Sequence, residues 1–118
     1  MGHNVQSLLA RRVLAGECWL AQDGARVVAY VTVRAQHFFG RDFVELLAVE
    51  PRVRRRGVGD RLLAHAIENS STERVFTSTN RSNLAMIALL EKGRWRISGE
   101  LEGIDEGDPE LIYFIDRA

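Results

Sequence analysis

Four arginines and two glycines within one short segment are the residues best suited to chemistry. The segment is Arg52-Val-Arg-Arg-Arg-Gly-Val-Gly59. Glycines one residue apart at a helix start let the backbone approach a bulky group closely, and the N–H groups of a first helical turn lack partners within the helix. The helix dipole and the guanidinium groups both favour an anion, which predicts a pyrophosphate cradle. A solvated basic loop or a weak nucleic-acid patch is the alternative interpretation.

A strand and a helix flank this loop, and their order favours the pyrophosphate interpretation. Residues 43–49 are apolar and β-rich around one charge, and Pro51 should end the strand because it cannot donate to a ladder. An apolar stripe at helical spacing then predicts a helix from near Gly57 that packs on a sheet. Its members are Val58, Leu62, Leu63, Ala66 and Ile67.

Residues 47–63 closely resemble motif A of the GCN5-related N-acetyltransferase (GNAT) superfamily. Its loop pattern is Arg/Gln-x-x-Gly-x-Gly/Ala, which Arg54, Gly57 and Gly59 fill in register. In that family the loop binds the pyrophosphate of acetyl-CoA, and the preceding strand splays from its neighbour and hydrogen-bonds the pantetheine arm. The resemblance therefore implies acetyl-CoA (coenzyme A) as co-substrate. The implied cofactor-binding residues in these elements are Leu47, Val49, Arg54, Arg55, Gly57, Val58 and Gly59.

The segment from Asn83 to Trp95 is similar to motif B of the same family, Asn-x-x-Ala-x-x-Leu-Tyr-Glu-Lys-x-Gly-Phe. Asn83, Glu91 and Lys92 match it, as does Leu89, and Trp95 replaces the phenylalanine. Asn83 is either a cofactor contact near the thiol end, as the resemblance implies, or a helix cap. With both motifs in order, the resemblance covers almost the whole chain from Trp19 onward.

Leu90 stands where the family commonly has the tyrosine that protonates the departing thiolate. Neither Tyr30 nor Tyr113 occupies that motif position, so the general acid is a different group, water, or absent. The glycine after Lys92 is also shifted by one residue, which should alter the helix exit only locally.

Only a short segment precedes Glu17, whereas family members usually have a first strand and another helix before the hairpin. Those helices normally wall the acceptor site. The departure implies that the acceptor is bound openly or that a second subunit completes the site, which makes a homodimer a hypothesis.

Glu45 is the best candidate for the catalytic base that takes a proton from an amine. Strand alternation places it on the same face as Phe43, Leu47 and Val49, and apolar surroundings make a carboxylate a better proton acceptor. In the family a base glutamate often occupies this strand. The alternative is that Glu45 faces solvent or pairs with an arginine such as Arg34.

Composition restricts the class of protein. The chain has 118 residues, which predicts a single domain over residues 1–118. Lys plus Arg and Asp plus Glu number 16 each, so the arginine cluster is local, and this argues against a general nucleic-acid binder. One cysteine, Cys18, and no membrane-length apolar run predict a cytoplasmic protein without membrane attachment. The three histidines have no metal-ligand spacing with Cys18, so no metal site is expected.

The order of elements predicts an α+β (mixed α/β) fold with a central mixed, mostly antiparallel sheet flanked by helices, which is also the GNAT order. A short amphipathic helix is expected over residues 4–14, ending near Gly16. Strands are expected at 17–21, 26–34, 43–49, 75–79, 95–101 and 111–115, and helices from 57 to 67 and from 84 to 92. Residues 102–110 form an acidic loop, and its part from Asp105 to Glu110 is solvated or attracts a cationic acceptor.

Two functions from different classes remain. The leading hypothesis is an acetyl-CoA-dependent N-acetyltransferase that acts on an amine of a small molecule or peptide. The second is a non-catalytic acyl-CoA-binding or interaction module of the same fold, which Leu90 and the short N-terminal region favour. A nucleic-acid-binding module is third, and a shallow salt dependence of binding would count against it.

Overall fold

The computed structural model describes the backbone of residues 7–13 and 16–117 and the side chains of residues 17–117. This part of the chain forms seven strands, two α-helices and a short 3-10 helix at Pro51–Val53. The elements in chain order are β1 (Ser7–Val13), β2 (Gly16–Asp23), β3 (Arg26–Phe38), β4 (Arg41–Val49), α1 (Val58–Glu68), β5 (Arg74–Asn80), α2 (Leu84–Lys92), β6 (Arg96–Leu101) and β7 (Glu110–Asp116).

The helix expected over residues 4–14 is wrong, because the described part of that segment is strand β1. Ser7 lies opposite Gln22 and Val13 opposite Gly16 in an antiparallel pair with β2. The spacing of the apolar residues fits a helical face, but pairing with β2 satisfies the backbone groups in a ladder. That partner is provided by another part of the fold, which periodicity within one segment does not report. Residues 4–6 and 14 lie outside the described residues.

The seven strands form one sheet in the order β1-β2-β3-β4-β5-β7-β6. β1 to β4 are an antiparallel meander, with the expected Asp-Gly turn between β2 and β3. β4 and β5 are parallel, as a crossover through α1 requires, and β7 pairs antiparallel with both β5 and β6. The predicted α+β class and the mixed, mostly antiparallel sheet are confirmed.

The hydrophobic core lies between the helices and one face of the sheet. Leu62 of α1, Leu90 of α2 and Val31 of β3 have no exposed surface. The ring of Trp19 on β2 meets His65 of α1 edge-on, with 4.4 Å between centroids. Full burial of one such apolar side chain stabilises the fold by about 1.5–3 kcal/mol, so these contacts anchor both helices.

The opposite face of the sheet, termed the helix-free face, carries no helix in the described part of the chain. It bears a row of aromatic rings. Phe38 stacks on Phe43 with 5.1 Å between centroids and lies 5.0 Å from Phe76, which lies 5.7 Å from Phe114. The guanidinium carbon of Arg74 lies 4.5 Å from the centre of the Phe114 ring. The row connects strands β3, β4, β5 and β7 through aromatic packing.

A buried aspartate ties the β3–β4 hairpin to the loop that follows α1. Asp42 is 1% exposed. Its Oδ1 accepts hydrogen bonds from Gln36 N at 2.8 Å and Ser71 Oγ at 2.7 Å, and its Oδ2 accepts one from Ser71 N at 2.6 Å. No cation pairs with Asp42 among the described residues, so these donors supply the hydrogen bonds that a buried carboxylate requires.

The exit of α2 differs from the family pattern in one backbone position. Gly93 has φ −79°, whereas Arg94 has φ +67°, in the left-handed region that favours glycine. A Cβ on Gly93 would lie 3.3 Å from Trp95 Cδ1, so the packed indole restricts that position. The shifted glycine therefore leaves an arginine in the left-handed conformation.

Both helices are short. Within the described ranges, no helix has the length and apolarity needed to cross a bilayer.

Candidate functional site

Strands β4 and β5 diverge after a short parallel pairing. The last paired positions are Val44 and Thr77, beyond which β4 follows β3 to Val49 and β5 follows β7 to Asn80. At the point of divergence, Thr77 Oγ1 donates a hydrogen bond to the Val44 carbonyl at 2.8 Å. Among the described residues no strand pairs with β4 on its β5 side beyond this point, so this edge is available to an extended ligand.

Helix α1 begins with an uncapped turn. Gly57 is the N-cap residue, with φ +78° and no side-chain cap hydrogen bond. Arg61 N donates to the Gly57 carbonyl at 3.0 Å as the first bond of the helix. The N–H groups of Val58, Gly59 and Asp60 therefore have no acceptor within the helix. Nothing lies within 4 Å of a Cβ placed on Gly57, so this turn can receive an anion.

A cavity of about 620 Å³ joins the strand divergence to the start of α1. All eight residues predicted to bind the cofactor line it: Leu47, Val49, Arg54, Arg55, Gly57, Val58, Gly59 and Asn83. The lining residues that were not predicted are Val53, Asp60, Ala85, Met86, Ala88, Leu89 and Lys92. Most of these lie on α2, and their recurrence every three or four residues was the signal for a shared helix face.

Arg52 and its neighbour Glu50 form an ion pair beside the cavity. Arg26 also reaches this carboxylate, with 3.1 Å between Nη2 and Oε2. The hydrogen bond from Arg52 is the largest cause of a lowered pKa at Glu50, and Arg26 adds to it. Arg52 is thereby engaged within the protein and does not line the cavity.

The other three arginines of the loop differ in position. Arg54 and Arg55 line the cavity, and Arg56 is exposed outside its lining. Arg54 Nε donates to the Val49 carbonyl at 3.3 Å, which ties the loop to the end of β4. Two guanidinium groups therefore accompany the free N–H groups of α1, as an anion site requires.

Asn83 both caps α2 and lines the cavity. Its Oδ1 accepts a hydrogen bond from Met86 N at 3.1 Å, which realises the capping interpretation. On the facing helix, a Cβ placed on Gly59 would lie 3.6 Å from Leu89 Cδ2. The two helices thus approach each other closely at the cavity.

Glu45 shares the helix-free face with Phe43, as predicted, but does not lie on the face of Leu47 and Val49. Its side chain is 47% exposed, and Arg34 Nη1 lies 3.2 Å from its Oε2. Thr32 Oγ1 donates to Oε1 at 3.4 Å. The expectation of shared apolar surroundings is therefore wrong, and the alternative of a pair with Arg34 is what the structure contains.

A β-bulge in β4 explains this placement. Val33 lies opposite Val44, but the next pair joins Thr32 to Leu46, so Glu45 is an extra residue on β4. A bulge shifts the alternation of every side chain that follows it. The alternation rule assumes an unbroken ladder, and here the ladder is interrupted at the residue in question.

No tyrosine lines the cavity among the described residues. Leu90, at the usual tyrosine position, is fully buried in the core. Burial raises the pKa of Tyr113, and the nearby charge of Glu91 adds to the rise. Tyr30 lies on β3 and is half-buried. The geometry supplies no phenol to the cavity.

Metal-ligating side chains do not converge in the described part of the chain: no group of three His, Cys, Asp or Glu residues there could hold an ion. Cys18 is a half-buried free thiol on β2.

Several solved acetyltransferase structures resemble this chain. A GNAT-family acetyltransferase from Bacillus cereus ATCC 10987 is 33% identical with a TM-score of 0.79, and the match covers 84% of this chain and 69% of that one. A Bacillus subtilis acetyltransferase in complex with CoA is 19% identical, with a TM-score of 0.73 and coverage of 86% and 77%. A Bacillus anthracis protein in complex with acetyl coenzyme A is 16% identical, with a TM-score of 0.78 and coverage of 89% and 64%. The last two likenesses show the fold alone.

Curated protein sequences give no match. The sequence model of the acetyltransferase (GNAT) family matches residues 5–94, which is most of the chain. The resemblance of the two motifs is confirmed, and the chain belongs to the GNAT acetyltransferase family.

Proposed function

We propose that this protein is an acetyl-CoA-dependent N-acetyltransferase that acts on an amine of a small molecule or peptide. One observation carries the proposal: a single cavity joins an uncapped helix start, with two arginines, to the free edge of a diverging strand. A pyrophosphate suits the first surface and an extended amide chain suits the second. Coenzyme A has both groups covalently joined.

The residues of the cavity fit the pyrophosphate. The N–H groups of Val58 and Gly59 would donate to its oxygens, and Arg54 and Arg55 would add charge-assisted hydrogen bonds. Gly57 has no side chain to obstruct the approach, and its φ of +78° disfavours any other residue.

The edge of β4 fits the pantetheine arm. Backbone groups around Leu47 and Val49 would pair with its amides in the manner of an added strand. Asn83, at the start of α2, would lie beside the arm.

Acetyl-CoA supplies a thioester whose carbonyl carbon can be attacked by a neutral amine. The carbon–nitrogen bond forms as the carbon–sulfur bond breaks, so the amine loses a proton and the sulfur gains one. We assign the first proton to Glu45, directly or through water, because Glu45 directly follows Val44, the last β4 residue that pairs with β5. Arg34 and Thr32 hold that carboxylate in place. Water donates the proton to the sulfur, and the hydroxide that remains takes the proton from Glu45, which returns the carboxylate to its starting state.

A non-catalytic acyl-CoA-binding module is the second candidate. The burial of Leu90 favours it, because the family's usual proton donor is replaced by a core residue. Such a module would keep the cavity and bind acetyl-CoA without turnover.

The homodimer and the cytoplasmic location remain part of this proposal. A second subunit would wall the acceptor side. Light scattering at the protein concentration used for the assays tests the dimer. A monomeric mass at that concentration would refute it.

Calorimetric titration with acetyl-CoA tests the cofactor site. Gly57→Trp should abolish binding, because the indole fills the cradle. Gly103→Trp is the matched control, since Gly103 has φ +94° with open space around it and lies outside the cavity. No binding by the wild-type protein would refute the proposal.

Thiol release across a panel of amines then separates the two candidates. Loss of release in Glu45→Gln, with binding of acetyl-CoA retained, supports the enzyme. Binding without release on every amine supports the module.

A further inference from the structure

On the helix-free face, polar side chains border the gap that opens where β4 and β5 diverge. Glu45 on β4 and Ser78 on β5 each follow the last paired residue of their strand by one position. Ser78 alternates with the buried Thr77 and shares the face of Phe76. Glu45 and Ser78 therefore flank the same opening.

A glutamate from the neighbouring strand extends this border. Ser78 Oγ donates a hydrogen bond to Glu110 Oε2 at 2.7 Å. Glu110 opens β7 opposite Asn80, and Ile112, two residues later on the same face, lies opposite Ser78. The hydrogen bond holds the Glu110 carboxylate over β5, beside the divergence.

The glutamates on either side of this opening, Glu45 and Glu110, differ in charge compensation. Glu45 is paired with Arg34, whose Nη1 lies 3.2 Å from Oε2. Glu110 is half-buried, and within the described residues its carboxylate has the Ser78 hydroxyl as partner and no cation. A partly desolvated carboxylate without a counter-ion attracts a cationic group from solution.

An apolar groove of about 590 Å³ adjoins this border. Phe38, Phe76, Leu101 and Ile112 give it an apolar surface, and Ile112 places its edge next to Ser78. Of its charged lining residues, Glu100 pairs with Arg81 and Arg74 pairs with Asp116. The third, Arg41, donates from Nη1 to the Phe39 carbonyl at 3.4 Å.

We propose that Ser78 and Glu110 form an acceptor subsite that selects a primary amine with an aromatic or aliphatic body. Glu110 receives the ammonium group, Ser78 positions that carboxylate, and the groove takes the body. This inference rests on the proposed acetyl transfer. The bound ammonium first loses one proton to water, which frees the nitrogen lone pair, and the second proton, lost as the carbon–nitrogen bond forms, passes to Glu45 as proposed above.

The test uses 2-phenylethylamine as the cationic probe and 2-phenylethanol as its neutral counterpart. Binding of each is measured from the shifts of the backbone amide NMR resonances of the full chain. The amine should shift residues around Ser78 and Glu110, and the alcohol should not. Glu110→Gln should weaken binding of the amine by about tenfold or more, the loss expected for one charged hydrogen bond. Glu68→Gln removes the same charge at the far end of α1 and should change nothing.

Ser78 is tested by rescue. Ser78→Ala should weaken amine binding by about threefold to tenfold, and Ser78→Thr should restore it because the hydroxyl is retained. Failure of the threonine variant to restore binding, in a protein that melts like the wild type, would contradict the positioning role.

Steady-state kinetics of thiol release distinguish the role of Glu110 from that of Glu45. Glu110→Gln should raise KM for the amine with little change in kcat, whereas Glu45→Gln should lower kcat. If the amine binds through Glu110 and no thiol is released, the subsite stands and the enzyme proposal fails. If thiol release from amines is unchanged in Glu110→Gln, the enzyme stands and the subsite is refuted.

Two further results would overturn the subsite. One is equal binding of the alcohol and the amine. The other is a shift of the groove resonances with protein concentration instead of with amine, which would assign the groove to a second copy of the chain.

Discussion

Lys92 Nζ lies 2.8 Å from Asp60 Oδ2 and joins the end of α2 to the first turn of α1. Both residues line the cavity, and Asp60 stands next to the free N–H groups that would receive an anion. An acidic side chain at this position interacts favourably with the helix dipole but repels a phosphate group. Lys92 offsets that repulsion.

Lys92→Met should therefore weaken acetyl-CoA binding by about threefold to tenfold, because it leaves the Asp60 charge uncompensated near the pyrophosphate. Calorimetry measures the change. Adding Asp60→Asn should return the affinity toward that of the wild type. A double variant as weak as Lys92→Met alone would show that the lysine acts by direct contact.

Arg54→Gln and Arg55→Gln should each reduce acetyl-CoA affinity by about tenfold, the loss expected for a charge-assisted hydrogen bond. Each should also flatten the dependence of affinity on ionic strength. Arg56→Gln removes the same charge from an exposed position outside the cavity and should have little effect. Equal losses in all three variants would mean that net charge, and not position, attracts the ligand.

Arg94→Gly should stabilise the protein by about 0.5–1 kcal/mol, because it relieves the left-handed strain at φ +67°. Thermal unfolding should show a rise in Tm of roughly 2–5 °C. Arg61→Gly, an exposed position within α1, should instead destabilise by about 1 kcal/mol. A lower Tm for Arg94→Gly would indicate contacts of the arginine that outweigh the strain.

Asp116 makes stability depend on pH. The hydrogen bond from Arg74 is the main cause of its lowered pKa, with added charge effects from Arg74 and Arg96. Because the folded-state pKa is lowered, the stabilisation is present above the usual value of 3.8 and is lost as pH falls through the folded-state pKa.

Asp116→Asn should therefore lower stability near neutral pH and leave it unchanged in strong acid. Denaturant unfolding across that range measures the difference between the two proteins. A constant difference at every pH would contradict the ionic origin. Glu106→Gln, in the exposed loop between β6 and β7, is the control.

The cavity beside the start of α1 could be predicted because its signals are local. Gly57 and Gly59 mark a helix start, and the strand before them lies within the same short span of sequence. The geometry of a strand, a turn and a helix follows from neighbouring residues, so the eight predicted residues fall around one cavity.

The features that were predicted wrongly depend on partners elsewhere in the chain. β1 is a strand because β2 is available to pair with it, and Leu47 and Val49 lie on the opposite face from Glu45 because β4 has an extra residue in its ladder with β3. Neither a partner nor a bulge is visible in the periodicity of one segment. Ser78 and Glu110 are 32 positions apart, so their hydrogen bond could not be predicted from the pattern of one segment either.

Helix α1 is anchored at its C-terminal end, whereas the proposed ligand site is at its N-terminal end. The contacts that stabilise the helix are therefore separate from those that would determine ligand affinity. Asp42 holds the loop after this helix through Ser71, and Arg117 Nη1 donates to the Ser70 carbonyl at 2.7 Å. The arginine loop at the other end bears none of these bonds. Arginine substitutions in this loop should therefore change ligand affinity while the helix that presents the cradle keeps its place.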